Sequence, residues 1–213
     1  MFDAKRLLDQ LVGSGAAGGF TGGLAGGALA NVLSGKKAGK VAGSALQLGG
    51  MALVGGLAYK AWQNHQQGAG AKAGTGFATP PADSAFLPAS NDTAEARALS
   101  LLLARAMIAA AKADGQINVQ ESQMILNQIN SLDMPAEDKA FLFEEYGRPL
   151  DVAGLTAAID SKEHAAEVYA ASVMMVDPPS APEQIYLDTL ARELGLEAGL
   201  AGEIHATVRA NRA

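Results

Sequence analysis

The stretch that decides the fold is Ala104–Glu121, which reads ARAMIAAAKADGQINVQE. An apolar helical pattern ends at Asp114, a short loop follows, and Glu121 lies in the first turn of the next predicted helix. The later segment Ala170–Glu183, AASVMMVDPPSAPE, repeats the same order of apolar helix, aspartate, loop and glutamate. Two copies of a helix–acidic loop–helix unit predict an all-α domain in which pseudo-twofold packing brings the units together.

The helical pattern extends outward from this stretch and covers residues 92–213. Helix starts are indicated by three capping boxes, a proline in a first turn and a capping aspartate, which are Asp92/Glu95, Asn118/Glu121, Ser180/Glu183, Pro135 and Asp151. The pattern contains no alternation typical of strands. It therefore predicts a compact all-helical domain of about seven helices, large enough for its own core.

Charge divides the chain into two unlike halves. Residues 1–75 carry seven basic and two acidic residues, a net charge of +5, whereas residues 76–213 carry nine basic and twenty acidic residues, a net charge of −11, and together these give the chain's −6. The acidic half argues against a nucleic-acid partner, because phosphate binding requires a basic face. The absence of cysteine excludes disulfides, thiolate metal sites and thiol nucleophiles.

The N-terminal region, residues 1–62, has the features of a membrane anchor. The uncharged segment Val41–Tyr59 would extend roughly 28 Å as a helix, which is close to the thickness of a hydrocarbon core. Lysines precede it, and Tyr59, Lys60 and Trp62 close its other end, as interfacial anchors do. We therefore predict a membrane span at Val41–Tyr59, with the lipid bilayer as a partner.

An earlier uncharged stretch, Leu11–Gly35, is rich in glycine with a period of four. Gly15, Gly19, Gly23 and Gly27 would lie on one helix face and allow close approach of a second helix. This pattern favours a glycine-zipper helix that packs on the span or on a second copy of the chain. The alternative is a flexible glycine-rich tail.

Basic residues predict the orientation of the span. Five of them precede it and only Lys60 and Lys72 follow within about twenty residues, so the positive-inside rule places the N-terminus in the cytoplasm. The sequence thus predicts a single-pass protein of the bacterial inner membrane with a periplasmic C-terminal domain. A competing hairpin, which also inserts Leu11–Ser34, would return the domain to the cytoplasm.

Residues 63–91 separate the predicted anchor from the helical domain. They are dominated by Gly, Ala, Pro, Ser and Gln and lack apolar periodicity, which predicts a flexible linker. Phe77, Phe86 and Leu87 are isolated apolar residues within it, and the sequence leaves open whether they dock on the domain.

The chain resembles the YebE-type family of bacterial inner-membrane proteins, whose C-terminal domain is similar to the TerB domain of tellurite-resistance systems. The resemblance is carried by the opening MFDAKRLLDQLV with its glycine run, by Ala104–Glu121 and by Val168–Leu196. It implies a TerB-like helical domain on an N-terminal membrane segment, in a family of unknown function.

The same resemblance implies a divalent-cation site formed by acidic loop residues, which here are Asp114, Glu121, Asp177 and Glu183. The structural alternative is that both glutamates complete capping boxes. Asp114 would face the negative end of a helix dipole, which is unfavourable without a ligand. Pro178 and Pro179 replace the glycine of the first loop, so the second loop departs from the pattern.

These features predict a membrane-tethered helical interaction or sensing module, non-enzymatic, with an unidentified protein partner and an envelope or stress-related role. The three histidines are far apart in sequence and the chain is poor in aromatics, which disfavours hydrolase triads and sugar clefts. The alternative function is a divalent-metal-binding TerB-like module that uses the acidic loops.

Overall fold

A computed structural model of the chain describes residues 5, 8, 9, 50–68, 78–81, 84–86, 93–113 and 136–212. Regular secondary structure within these ranges is entirely helical, which confirms the all-α prediction for them. Seven helices have defined bounds within these ranges: α1 (Gly50–Gln66), α2 (Thr93–Ala111), α3 (Ala136–Gly147), α4 (Val152–Thr156), α5 (Lys162–Val176), α6 (Ala181–Glu193) and α7 (Ala198–Arg212).

The central element is α5, which is buried on all sides. Every residue from 165 to 177 is shielded from solvent, and apart from Glu167, Tyr169 and Asp177 these side chains are small or apolar. It packs against α2, α1 and α7, and more lightly against α6. The largest wholly buried side chains around it include Leu103, Met107, Leu142, Met174, Leu187, Leu190 and Ile204.

Helix α1 belongs to the same core. Its apolar face is buried between α5 and α7, and its buried residues include Leu53, Val54, Leu57, Ala58 and Ala61. The described part of the predicted span, residues 50–59, therefore packs within the helical bundle, and residues 63–66 of the predicted linker continue this helix. Residues 41–49 lie outside the described ranges. No helix in the described ranges is both long and apolar enough to cross a membrane.

The chain after α1 is fastened to the bundle at Phe86. This ring is 3 % exposed and makes edge contacts with Tyr59 and Trp62, at centroid distances of 5.4 Å and 5.7 Å. The two aromatics expected to anchor the chain at a membrane interface thus hold the segment that follows α1. Phe77 and Leu87 lie outside the described residues.

Local capping explains why several helices begin where they do. The Asp151 carboxylate accepts a hydrogen bond from the Gly154 N–H at 2.9 Å, as predicted for the start of α4. Ser161 caps α5 through the His164 N–H at 3.0 Å. The predicted capping box at the start of α6 is confirmed, and the box at Asn118/Glu121 lies outside the described residues.

Candidate functional site

The strongest polar cluster among the described residues lies where α5 ends against α7. Asp177, the first residue after α5, is only 4 % exposed. Arg209 of α7 donates a hydrogen bond from Nη2 to the Asp177 carboxylate at 3.2 Å, while its own side chain is 68 % exposed. The aspartate predicted to ligate a metal is therefore already neutralised by an arginine, and the pair fastens the end of α5 to α7.

Two turns earlier, α5 and α7 meet again through Tyr169 and His205. The tyrosine hydroxyl and His205 Nε2 are 3.0 Å apart, and the two rings make an edge contact. Burial raises the pKa of Tyr169 to about 12, and the nearby Asp188 adds to this shift. Burial lowers the pKa of His205, and Asp177 partly opposes that change. Both groups are consequently neutral near pH 7, so the contact is a hydrogen bond between uncharged partners.

No local sequence pattern indicates this contact. Tyr169 and His205 are 36 residues apart, and His205 looks like an isolated residue in a helical pattern. Only the parallel packing of α5 beside α7 brings them together.

Glu183, the second predicted ligand that the structure describes, has a capping role. Its carboxylate accepts a hydrogen bond from the Ser180 N–H at 2.6 Å, which completes the capping box of α6. Asp114 and Glu121 lie outside the described residues. Within the described ranges, no three His, Asp or Glu side chains are grouped in a way that would hold a metal ion.

Glu167 is an acidic residue in the middle of the central helix and is fully buried. Neither carboxylate oxygen has a hydrogen-bond partner among the described residues. Burial raises the pKa of Glu167 well above its usual range, and the neighbouring Glu163 strengthens the shift by charge repulsion. Sequence reasoning missed this group, because a lone glutamate in a helical pattern is usually solvated.

Lys112, which follows α2 and belongs to the A-K-A-D pattern, has a structural role. Its ammonium donates to the main-chain carbonyls of Glu145 at 2.9 Å and of Arg148, at the C-terminal end of α3. A cation at this position complements the negative end of the helix dipole. Burial lowers the pKa of Lys112, which Glu145 partly opposes. The cleft beside Lys112 has a volume of about 220 Å³. Arg105 and Arg148 also line this cleft, and both of them pair with Glu145.

A second cleft, of about 240 Å³, lies where α1 ends against the start of α5 and α7. Trp62 and Leu200 contribute apolar walls, and His65 and Lys162 contribute polar groups. His65 Nε2 lies 3.2 Å from the Glu197 carboxylate, so this end of α1 is tied to the start of α7. Three of the polar contacts described here thus join α1, α5 and α7: His65–Glu197, Tyr169–His205 and Asp177–Arg209.

Comparison with known proteins assigns the chain to a family. A family model described as "Protein of unknown function (DUF533)" matches residues 18–208, and the chain belongs to this family. No curated protein and no solved structure matches it.

Proposed function

We propose that this member of the DUF533 family is a membrane-tethered helical interaction or sensing module without enzymatic activity. In this proposal Val41–Tyr59 crosses the bacterial inner membrane once, and the helical domain, of TerB-like architecture, lies in the periplasm. The glycine-rich helix before the span provides a surface for self-association, and the domain binds a protein partner.

The observation that carries the proposal is the position of α1. The second half of the charge-free stretch, Gly50–Tyr59, forms the first ten residues of α1, whose buried side chains contact α5 and α7. An anchor connected through a flexible linker alone would transmit little to the domain. Residues that belong both to the span and to α1 can transmit a change at the membrane to the whole bundle, because they leave the central helix when they cross the bilayer.

The polar contacts of α7 support the sensing role. At one end of this helix Glu197 contacts His65 of α1, and toward the other end His205 and Arg209 contact α5 and the residue after it. A shift of α1 would therefore reach both groups of contacts through one rigid helix.

The divalent-metal alternative receives less support from the described residues. Arg209 occupies the Asp177 carboxylate, and Glu183 is engaged in a capping box. A metal role for Asp114, Glu121, Asp177 and Glu183 stays a proposal that thermal melting with added cations can test.

The tether is tested by comparing two lysine substitutions in the full-length chain. Leu48→Lys places a charge near the middle of the span, at a cost of about 2.5–3.5 kcal/mol of insertion free energy. Leu150→Lys is the matched control, because Leu150 is 40 % exposed on the bundle. We expect the wild type and the control to stay with carbonate-washed membranes and Leu48→Lys to be released.

Alkaline phosphatase fused after Ala213 should be active if the single-span orientation is correct. A wild-type chain that is released by carbonate while folded would contradict the tether. An inactive phosphatase fusion, together with a fluorescent green-fluorescent-protein fusion, would contradict the orientation alone.

A further inference from the structure

The ten residues Gly50–Tyr59 are assigned to two environments that exclude each other. In the sequence they form the second half of the charge-free segment Val41–Tyr59. In the structure they form the first ten residues of α1, and Val54 and Ala58 are wholly buried in the groove between α5 and α7. A helix lying in this groove cannot cross a bilayer at the same time.

The apolar contribution to burial is similar in both environments. Lipid tails are about as apolar as leucine side chains, so Leu53, Val54 and Leu57 are shielded from water in the groove and in the hydrocarbon alike. Polar groups and packing therefore decide which location is preferred.

The helices that form and fill the groove contain buried polar atoms that have no hydrogen-bond partner within the part of the chain that the structure describes. These atoms are Asn64 Nδ2 on α1, both carboxylate oxygens of Glu167 on α5, and Glu203 Oε2 and Thr207 Oγ1 on α7. Unsatisfied buried polar atoms weaken the packing that encloses them, because each has lost its hydrogen bonds to water. Undocking of α1 would open α7 to solvent and lower this penalty.

We infer that α1 is an exchangeable helix, which leaves the α5/α7 groove and inserts its apolar half into the lipid bilayer. This inference rests on the proposed function, because it requires the chain to be at a membrane, and it specifies the moving part of the sensor. The docked form has the His65–Glu197 contact and the Phe86 contacts, and the inserted form gives them up.

The chain contains its own probe for this exchange. Trp62 is the only tryptophan of the sequence and lies on α1 beside Phe86. The full-length protein is mixed with phosphatidylcholine/phosphatidylglycerol vesicles whose acyl chains carry bromine near the headgroup end. Quenching of Trp62 fluorescence then measures insertion of α1, and flotation of the vesicles measures binding of the whole protein.

Two variants of α7 shift the equilibrium in opposite directions without changing α1. Thr207→Val removes an unpartnered buried hydroxyl at nearly constant volume, which should raise the ratio of docked to inserted α1 about two- to tenfold. Ile204→Ala removes a large buried side chain of α7, one of the two helices that form the groove, and should lower that ratio. Leu190→Ala is the matched control for core loss, because α6 packs on α4, α5 and α2.

We expect Trp62 fluorescence to be quenched in the wild type. The quenched fraction should be smaller in Thr207→Val, larger in Ile204→Ala and equal to that of the wild type in Leu190→Ala. Binding to vesicles without quenching in any variant would overturn the exchange while leaving the tether intact. Equal quenching in Ile204→Ala and Leu190→Ala would also overturn it, since loss of general stability would then suffice. Failure to float would overturn the tether and the exchange together.

Discussion

Replacing Glu167 with glutamine should stabilise the protein, and the gain should grow with pH. The carboxylate is fully buried, is repelled by Glu163 and has no hydrogen-bond partner in the described ranges. Its ionised form is therefore disfavoured in the folded state, which raises its pKa above the value of about 4.3 in an unfolded chain. Glutamine keeps the shape of the side chain and cannot ionise.

The direction of the pH dependence follows from proton linkage. The folded state binds the proton of Glu167 more tightly than the unfolded state does. The stability that this proton contributes is therefore fully present below about pH 4.3 and is lost as the pH rises through the raised pKa of the folded state. The loss cannot exceed about 1.4 kcal/mol per pH unit for one proton. We expect Glu167→Gln to be nearly neutral below about pH 5 and to gain stability toward pH 8 by at most about 1.4 kcal/mol per pH unit, because the amide removes the cost of ionisation but stays a buried polar group.

Urea unfolding of the full chain at pH 5, 6.5 and 8 measures this difference directly, and thermal melting should show a rise of about 2–4 °C per kcal/mol for a chain of this size. Glu193→Gln is the control, because Glu193 is exposed at the end of α6 and should change stability by less than about 0.5 kcal/mol. A loss of stability in Glu167→Gln at pH 8 would refute the reasoning, because it would mean that the ionised carboxylate has a stabilising partner.

Two further predictions concern residues whose roles the structure changes or specifies. Glu183→Ala should lower the free energy of unfolding by about 0.5–2 kcal/mol if capping of α6 is its main role. This loss should be the same with or without added calcium, magnesium, manganese or zinc. A metal-dependent rise in melting temperature that this variant abolishes would favour the metal alternative. Phe86→Ala should cost about 3–5 kcal/mol in urea unfolding, because a buried ring that contacts Tyr59 and Trp62 is lost. A cost below about 0.5 kcal/mol would show that the segment after α1 is not fastened there.

Much of the helical domain could be predicted from local signals. Asp151 caps α4, Ser180 and Glu183 start α6, and the helix after Pro135 begins at Ala136. The first two of these signals are contacts between residues three positions apart, and the third is a proline that favours a helix start, so all three are visible in the local sequence. Ile185 shows the limit of periodicity, because it is apolar and in the right helix yet 68 % exposed.

The role of α1 could not be predicted in the same way. Its first ten residues, Gly50–Tyr59, are mostly apolar or small and carry no charge, and these properties suit a bilayer and a protein groove equally well. The groove is formed by α5 and α7, which begin at Lys162 and Ala198, far later in the chain. Likewise, Glu167 looks like an ordinary helical glutamate until the packing of several helices encloses it. Long-range packing, which local periodicity does not encode, determines both the location of α1 and the burial of Glu167.

The order of the helices along the chain also determines when each of them is synthesised. Helix α1 ends at Gln66, whereas α7, which completes its groove, ends at Arg212. At about 5–20 residues per second, a ribosome needs roughly 7–30 seconds to synthesise the intervening chain. Throughout that interval the nascent helix has no groove to enter. Under the proposed function, the bilayer would therefore be offered α1 first, and docking into the bundle would have to compete with an earlier insertion.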